Sequence, residues 1–442
     1  MRAVVLGAGL AGCEAAWQLA RSGLAVELWE MKPRRFQSVH HSAGFAELVC
    51  SNSLRSASLE NAVGILKEEM RRLGSLILHA ADTTALPAGG ALAVDRDQFS
   101  GLITEYIGRE PNITVVNEEA ASIPDGPCVV ATGPLTDGAM AEAIKSLCGG
   151  RQLNFFDAVA PIVTRESIDM DHAFALSRWG RGNDYINCPL TEEEYDLFWN
   201  ELVTARSADL HGIDRDLKVC EGGMPVEVMA RRGRDTLRFG PMKPIGLTDP
   251  RTGRRPFAVV QLRQDNAEGT HYNIVGFQTQ LAWPEQKRVF GLIAGLKSAE
   301  YVRYGVMHRN TFLNSPELLE RDFSYKGRPS LHFAGQITGV EGYVESAASG
   351  LTAGIALARR MKGLPPVDFT KRTAIGSLGY YIAEGNYQGR EFVPMNANFG
   401  IMEPLAEKVR GGGRGRRQEM ARRALDEIDK IAGGLARQEE TI

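Results

Sequence analysis

Short apolar runs and small-residue helical segments alternate at both ends of the chain. Arg2–Leu6 is a wholly apolar strand that stops at glycine, Leu10–Arg21 is alanine-rich with helical spacing, and Ala25–Trp29 is a second buried strand. That strand–turn–helix–strand order opens a parallel, doubly wound sheet. Pro127–Thr132 is another short apolar strand ending at Gly133-Pro134. Leu331–Ala334 is a further one ending at Gly335, and a small-residue helix from about Gly342 to Arg360 follows it. Between them, residues 151–325 carry more aromatics, more alternating charge and several proline–glycine turns. Phe257–Arg263 and Tyr272–Phe277 read there as antiparallel strands. Thr191-Glu192-Glu193-Glu194 reads as the capped start of a helix over 190–202. The tail from Glu407 reads as a basic helix interrupted by Gly411-Gly412-Gly413. The expected architecture is α/β: a discontinuous Rossmann-type domain (1–150 and 326–442) with an inserted α+β domain (151–325).

Composition narrows the function classes. The 442 residues are 43% hydrophobic and 24% charged, as in an ordinary globular protein. A net charge of −3 rules out a general polycation, so an RNA site must be a local basic patch. Six scattered cysteines without a C-x-x-C pair indicate neither zinc nor a redox dithiol and fit a reducing compartment, hence a cytoplasmic protein. The glycines and Glu14 break the N-terminal apolar run, so it is not read as a signal peptide. No apolar run is long enough to span a bilayer, and no membrane partner is expected. No sequence feature sets the oligomeric state.

The chemistry begins at Gly7-Ala8-Gly9-Leu10-Ala11-Gly12, between strand and helix. Gly7 permits the tight turn, Gly9 lets the backbone approach a pyrophosphate, and Gly12 lets helix and strand pack closely. The helix N-terminus offers its N–H groups to phosphate. Glu30, after the second strand, is placed to accept from ribose hydroxyls. The motif alone does not separate FAD from NAD. Thr132-Gly133 and the Gly335…Gly342-Tyr343-Val344 segment favour FAD, because a second helix N-terminus there can face a flavin ring.

The chain also carries FAELVCSNSLR (45–55), GGALAVDRDQFS (89–100), NCPLTEEEYDLF (187–198), FGPMKPIGLTDPRTG (239–253), YGVMHRNTFLNSP (304–316), GVEGYVESAASGLTAG (339–354) and MNANFG (395–400). With GAGLAGCEAA (7–16) and ATGPL (131–135), these strings resemble the folate- and FAD-dependent tRNA uracil-C5-methyltransferases over most of the chain. The larger wobble-uridine-modifying relatives carry a C-terminal region that this length does not accommodate. The resemblance implies FAD, methylenetetrahydrofolate as one-carbon donor, NADH or NADPH as reductant, and the T-loop uridine 54 of tRNA as target.

Uracil C5 is a poor nucleophile until a group adds at C6, and a thiolate is the usual adder. Cys50 matches one of the two family cysteines. The other family cysteine is replaced by glycine at Gly223, and Cys220 lies three residues earlier. Three readings stay open: Cys220 substitutes as nucleophile, Cys50 serves alone, or methyl transfer is lost and an NAD(P)H-dependent flavoprotein oxidoreductase remains. An RNA-binding flavoprotein without turnover is the alternative from another class. Either thiol can also be simply buried, as Cys13, Cys128, Cys148 and Cys188 are expected to be. The resemblance implies Lys243, Arg263 and Gln264 as pocket residues, and His308 and Arg309 are candidates beside the flavin or the folate. Arg231 and Arg232 open a basic cluster reaching Arg255 that can face the phosphates of tRNA or another structured RNA, and the tail arginines form a second.

Overall fold

The computed structural model describes residues 2–37, 39–150, 152–158, 160–208, 224–385, 392–407 and 409–439, with the backbone alone for 152–158, 307–309 and 437–439. The apolar runs form a six-stranded sheet in the order Ser324–Tyr325, Arg328–Phe333, Cys128–Val130, Ala3–Leu6, Val26–Trp29, Ile113–Val116. Its last five strands are parallel, with Val5 opposite both Leu28 and Val129. At the centre of the sheet Ala3, Val5, Leu6 and Cys128–Val130 are buried, so these two runs are apolar rather than alternating, whereas the outer strands keep partly exposed positions such as Thr114 and Arg328.

The helix Leu10–Arg21 lies against the long helix Tyr343–Met361. A Cβ at Gly350 would stand 2.1 Å from the Ala11 carbonyl oxygen, and one at Gly354 2.8 Å from that of Ala15. Two glycines one turn apart thus bring the helix of the N-terminal motif against the helix from the C-terminal third, and both line one cleft.

A second six-stranded sheet, antiparallel throughout, is ordered Phe174–Ala175, Tyr185–Leu190, Ala258–Gln264, His271–Ile274, Ile162–Thr164, Tyr301–Arg303. It has its own core, centred on Phe198, Phe277 and Phe290. The antiparallel pair Gln152–Ala158 and Met307–Leu313 carries the chain out and back. Phe312, Leu313, Leu318 and Phe323 already pack in the first core, ahead of residue 326.

The helix Glu192–Thr204 starts on a reciprocal cap: Glu194 N–H donates to Thr191 Oγ1 at 3.2 Å and Thr191 N–H to Glu194 Oε2 at 2.8 Å. The tail differs from expectation. Its helix, Gly412–Glu439, begins at the glycines instead of being interrupted by them. Gly411 and Gly412 adopt φ +96° and +62°, outside the right-handed helical region, so they form the entry to the helix. Met420, Ala421, Ala424 and Ile428 bury one face, and the helix lies along Ala62–Arg72.

Candidate active site

The cleft lies over the ends of the parallel strands Ala3–Leu6 and Cys128–Val130. Gly7 turns the chain at φ +94°, and a Cβ there would stand 2.6 Å from the Ala131 carbonyl oxygen. A Cβ on Gly12 would lie 1.8 Å from the Gly7 carbonyl oxygen, so Gly12 permits helix–turn contact from behind the cleft wall. Gly9 caps the helix, and a Cβ on it would meet no protein atom within 4 Å. No protein atom crowds this helix start on the Gly9 side, which leaves room for a phosphate at the helix N-terminus.

The structure brings Gly7, Ala8, Gly9, Leu10, Ala11, Glu30, Thr132, Gly133, Gly335, Tyr343 and Cys50 to the one cleft. Gly12, Gly342 and Val344 lie outside its lining. Val344 is buried in the core, and Gly342 caps the long helix. Glu30 is more occupied than its motif suggests: Oε2 accepts from Ala8 N–H at 2.8 Å and Oε1 from Lys32 N–H at 3.0 Å. Its carboxylate ties the glycine turn to the end of the second strand at the wall of the cleft.

Cys50 also lines the cleft. Its Sγ is 2.7 Å from the Tyr343 hydroxyl. The same oxygen accepts from Cys50 N–H at 2.7 Å and Ser51 N–H at 3.3 Å. Those two donors use the lone pairs of the phenol, so its O–H is the donor to sulfur. Burial first, and then the neighbouring Cys50, hold the Tyr343 phenol well above its ordinary value, so it keeps the proton it donates. A hydrogen bond donated to sulfur favours the thiolate form.

Three guanidinium groups hold the segment Leu48–Asn52. Arg96 donates to the Leu48 carbonyl at 2.6 Å, and Arg303 donates to that of Val49. Arg263, from the second sheet, donates to Ser51 Oγ at 2.8 Å and Asn52 Oδ1 at 3.1 Å. Burial opposes the charge on all three. It lowers Arg263 and Arg303, whereas Asp265, 3.0 Å from Arg96 Nε, more than offsets it there. Positive charge beside a thiol favours its nucleophilic form. Arg55 and Ala397 N–H both donate to the buried Glu345 Oε1 at 2.9 Å, which joins the strand Ser53–Ser56, just after Cys50, and the MNANFG string to the start of the long helix.

Arg263 was expected at a substrate. Its guanidinium instead bonds to the cysteine segment. Lys243, Arg231 and Arg232 are exposed and do not line the cleft. Cys220 and Gly223 lie outside the described residues. So do the side chains of His308 and Arg309, whose backbone runs in the strand Met307–Leu313. Cys13, Cys128, Cys148 and Cys188 are fully buried, and burial pushes the Cys128 and Cys188 thiols up to about 12. No cluster of potential metal ligands occurs among the described residues. No helix among them is long and apolar enough to cross a membrane. Sequence reasoning did not single out Arg96, Arg303, Asp265 or Asn52. Arg96 and Asn52 stand in strings quoted for the resemblance, but nothing local marks Arg303 or Asp265.

The model of the GIDA family, glucose inhibited division protein A, matches residues 2–365. A curated methylenetetrahydrofolate--tRNA-(uracil-5-)-methyltransferase of Acetivibrio thermocellus is 60% identical over 95% of this chain and 96% of its own. The Heliobacterium modesticaldum protein of that description is 56% identical over 98% of each chain. Among solved structures, Aquifex aeolicus GidA superposes with a TM-score of 0.69 at 15% identity, over 98% of this chain and 76% of that one, a likeness of fold.

Proposed function

Since this chain belongs to the GIDA family and is more than half identical, nearly end to end, to methylenetetrahydrofolate-dependent tRNA (uracil-5-)-methyltransferases, we infer that it methylates tRNA at uracil C5. It is an FAD-dependent enzyme that draws its one-carbon unit from methylenetetrahydrofolate. The observation carrying this reading is the 60% identity over 95% of the chain, joined to a glycine-turn cleft that a cysteine also lines.

The cleft suits the cofactor: no protein atom crowds the helix start at Gly9, and no side chain fills the turn. Gly7–Ala11, Glu30, Thr132, Gly133 and Gly335 would hold the dinucleotide, with Tyr343 at its flavin end. Bound there, FAD supplies the redox step that turns the folate carbon into a methyl group, and NADH or NADPH is the reductant. Residues 1–150 and 326–442 would form the cofactor domain and 151–325 the insertion. The site of action is the cytoplasm.

Cys50 is assigned as the nucleophile that adds to C6 of a uracil turned out of its stack, leaving C5 electron-rich. Tyr343 orients the sulfur and keeps hydrogen bonding it as charge develops. Arg96, Arg263 and Arg303 keep the segment in place. The target is the T-loop uridine 54. The test is the holoenzyme with methylene-labelled folate, NADPH and an unmodified tRNA transcript. The reading expects label at uridine 54, and none with Cys50→Ala. NADPH oxidation without label in RNA would leave only a flavoprotein oxidoreductase.

A further inference from the structure

The insertion domain carries an exposed surface that the proposed chemistry does not use. The turn Arg178–Gly180 lies across the loop 239–246. Arg178 donates from Nε to Gln261 Oε1 at 2.9 Å and from Nη2 to the Lys243 carbonyl at 2.7 Å, and Nη1 reaches the Ile245 carbonyl. Trp179 N–H donates to the Gly246 carbonyl at 3.0 Å. Tied down this way, the two loops still present the Trp179 indole 68% exposed, Phe239 80% and Ile245 44%.

Backbone strain accompanies the exposure. Trp179 holds φ +64°, a region that bulky side chains avoid. Gly246 makes room, because a Cβ there would lie 2.8 Å from indole Cε2. Strain of this kind is kept where the surrounding structure enforces it, and it concentrates at functional sites. Nothing in the core needs this indole, since most of it faces solvent.

Charge indicates what lands there. Arg181 and Lys243 are exposed and form no ion pair with a described residue. The nearby acids are engaged: Asp235 with Arg238 at 2.8 Å, and Asp184 with Gly89 N–H at 2.7 Å. Exposed aromatics among unpaired cations suit nucleic acid with unstacked bases better than a protein partner. The surface is also registered to Cys50. Gln261 and Arg263 are alternate residues of one strand, on one face and about 7 Å apart. Gln261 meets the Trp179 turn, and Arg263 meets Ser51 and Asn52.

We propose that this surface is an RNA platform on which an unstacked base near the reacting uridine stacks against Trp179, while Arg181 and Lys243 contact flanking phosphates. The proposal rests on the tRNA reading above. The test is binding of a fluorescently labelled, unmodified tRNA transcript to the FAD-loaded protein over a salt series. Variants are Trp179→Ala, Trp179→Phe and Lys243→Ala, each checked for full flavin content and for mass by light scattering. Trp179→Ala weakens binding about tenfold, with the salt slope unchanged, and Trp179→Phe retains most of the affinity. Lys243→Ala lowers the slope of log affinity against log salt by about one. Parental affinity in Trp179→Ala overturns the platform, as does a change in mass with RNA binding intact, which would make the patch a protein interface. A parent protein that binds no tRNA at all overturns the enzymatic reading itself, and the platform with it.

Discussion

The sulfur of Cys50 and the phenolic oxygen of Tyr343 stand 2.7 Å apart although 293 residues separate them in the chain. The phenol stands at the first turn of the long helix, and the thiol in a segment held by arginines. Two main-chain N–H groups occupy the phenol's acceptor sites and direct its proton to sulfur. The proposed nucleophile is thereby oriented by a residue that begins the long helix lining the cleft.

Tyr343→Phe tests that arrangement. It leaves the Cys50 and Ser51 amides without their acceptor, at a cost of about 1–3 kcal/mol in stability. It also removes the donor to sulfur, so methyl transfer falls about 100-fold. Urea unfolding and single-turnover label transfer measure the two effects. A parental transfer rate in this variant would remove Tyr343 from the mechanism.

Gly9→Ala and Gly12→Ala separate binding from folding. The Gly12 Cβ would collide with the Gly7 carbonyl oxygen at 1.8 Å, so this variant loses thermal stability even without FAD. The Gly9 Cβ meets no protein atom, and its φ of −75° suits alanine. Gly9→Ala therefore keeps the stability of the flavin-free protein and weakens FAD uptake. Melting curves with and without FAD distinguish the two, and equal losses of apo stability would contradict the assignment.

Arg263→Ala removes the guanidinium that holds Ser51 Oγ and Asn52 Oδ1, and leaves the Asn52 amide's bond to the Gln264 carbonyl at 2.9 Å as the remaining tie to the antiparallel sheet. Transfer should drop between 10- and 100-fold with FAD content unchanged, because near-attack geometry is lost rather than cofactor binding. Arg263→Lys should not restore it, since one ammonium cannot reproduce a fork that reaches two acceptors. Recovery by lysine would show that charge alone matters.

His332 predicts an acid limb of stability. Burial lowers it from 6.5 to about 4, and neither ring nitrogen has a hydrogen-bond partner among the described residues. The unfolded chain then binds its proton at higher pH than the folded one. The contribution is fully present above pH 6.5 and is lost as the pH falls toward 4, amounting to about 3 kcal/mol. His332→Leu should flatten the fall in melting temperature between pH 7 and 5, and an unchanged pH dependence would rule out this histidine.

Much of the framework was legible because its rules are local. Leu10–Arg21 is helical as read, since strand, glycine turn and alanine-rich helix are neighbours in the chain. The Thr191 cap needs only a residue three positions away. Gly7 and Gly12 have the packing roles their motif implies, because the six residues from one to the other leave little choice. Cys50 was marked by the resemblance of its string to that of the family. Tertiary structure alone decided what surrounds that thiol. Tyr343, Arg96, Arg263 and Arg303 come from four distant parts of the chain and meet only after two sheets and two cores have packed. The same holds for Glu30, which tethers backbone amides, and for Trp179, whose exposure follows from loops closing over one another. Hydrophobic spacing sets which face of an element is buried, but it carries no information on which distant side chain will stand across from it.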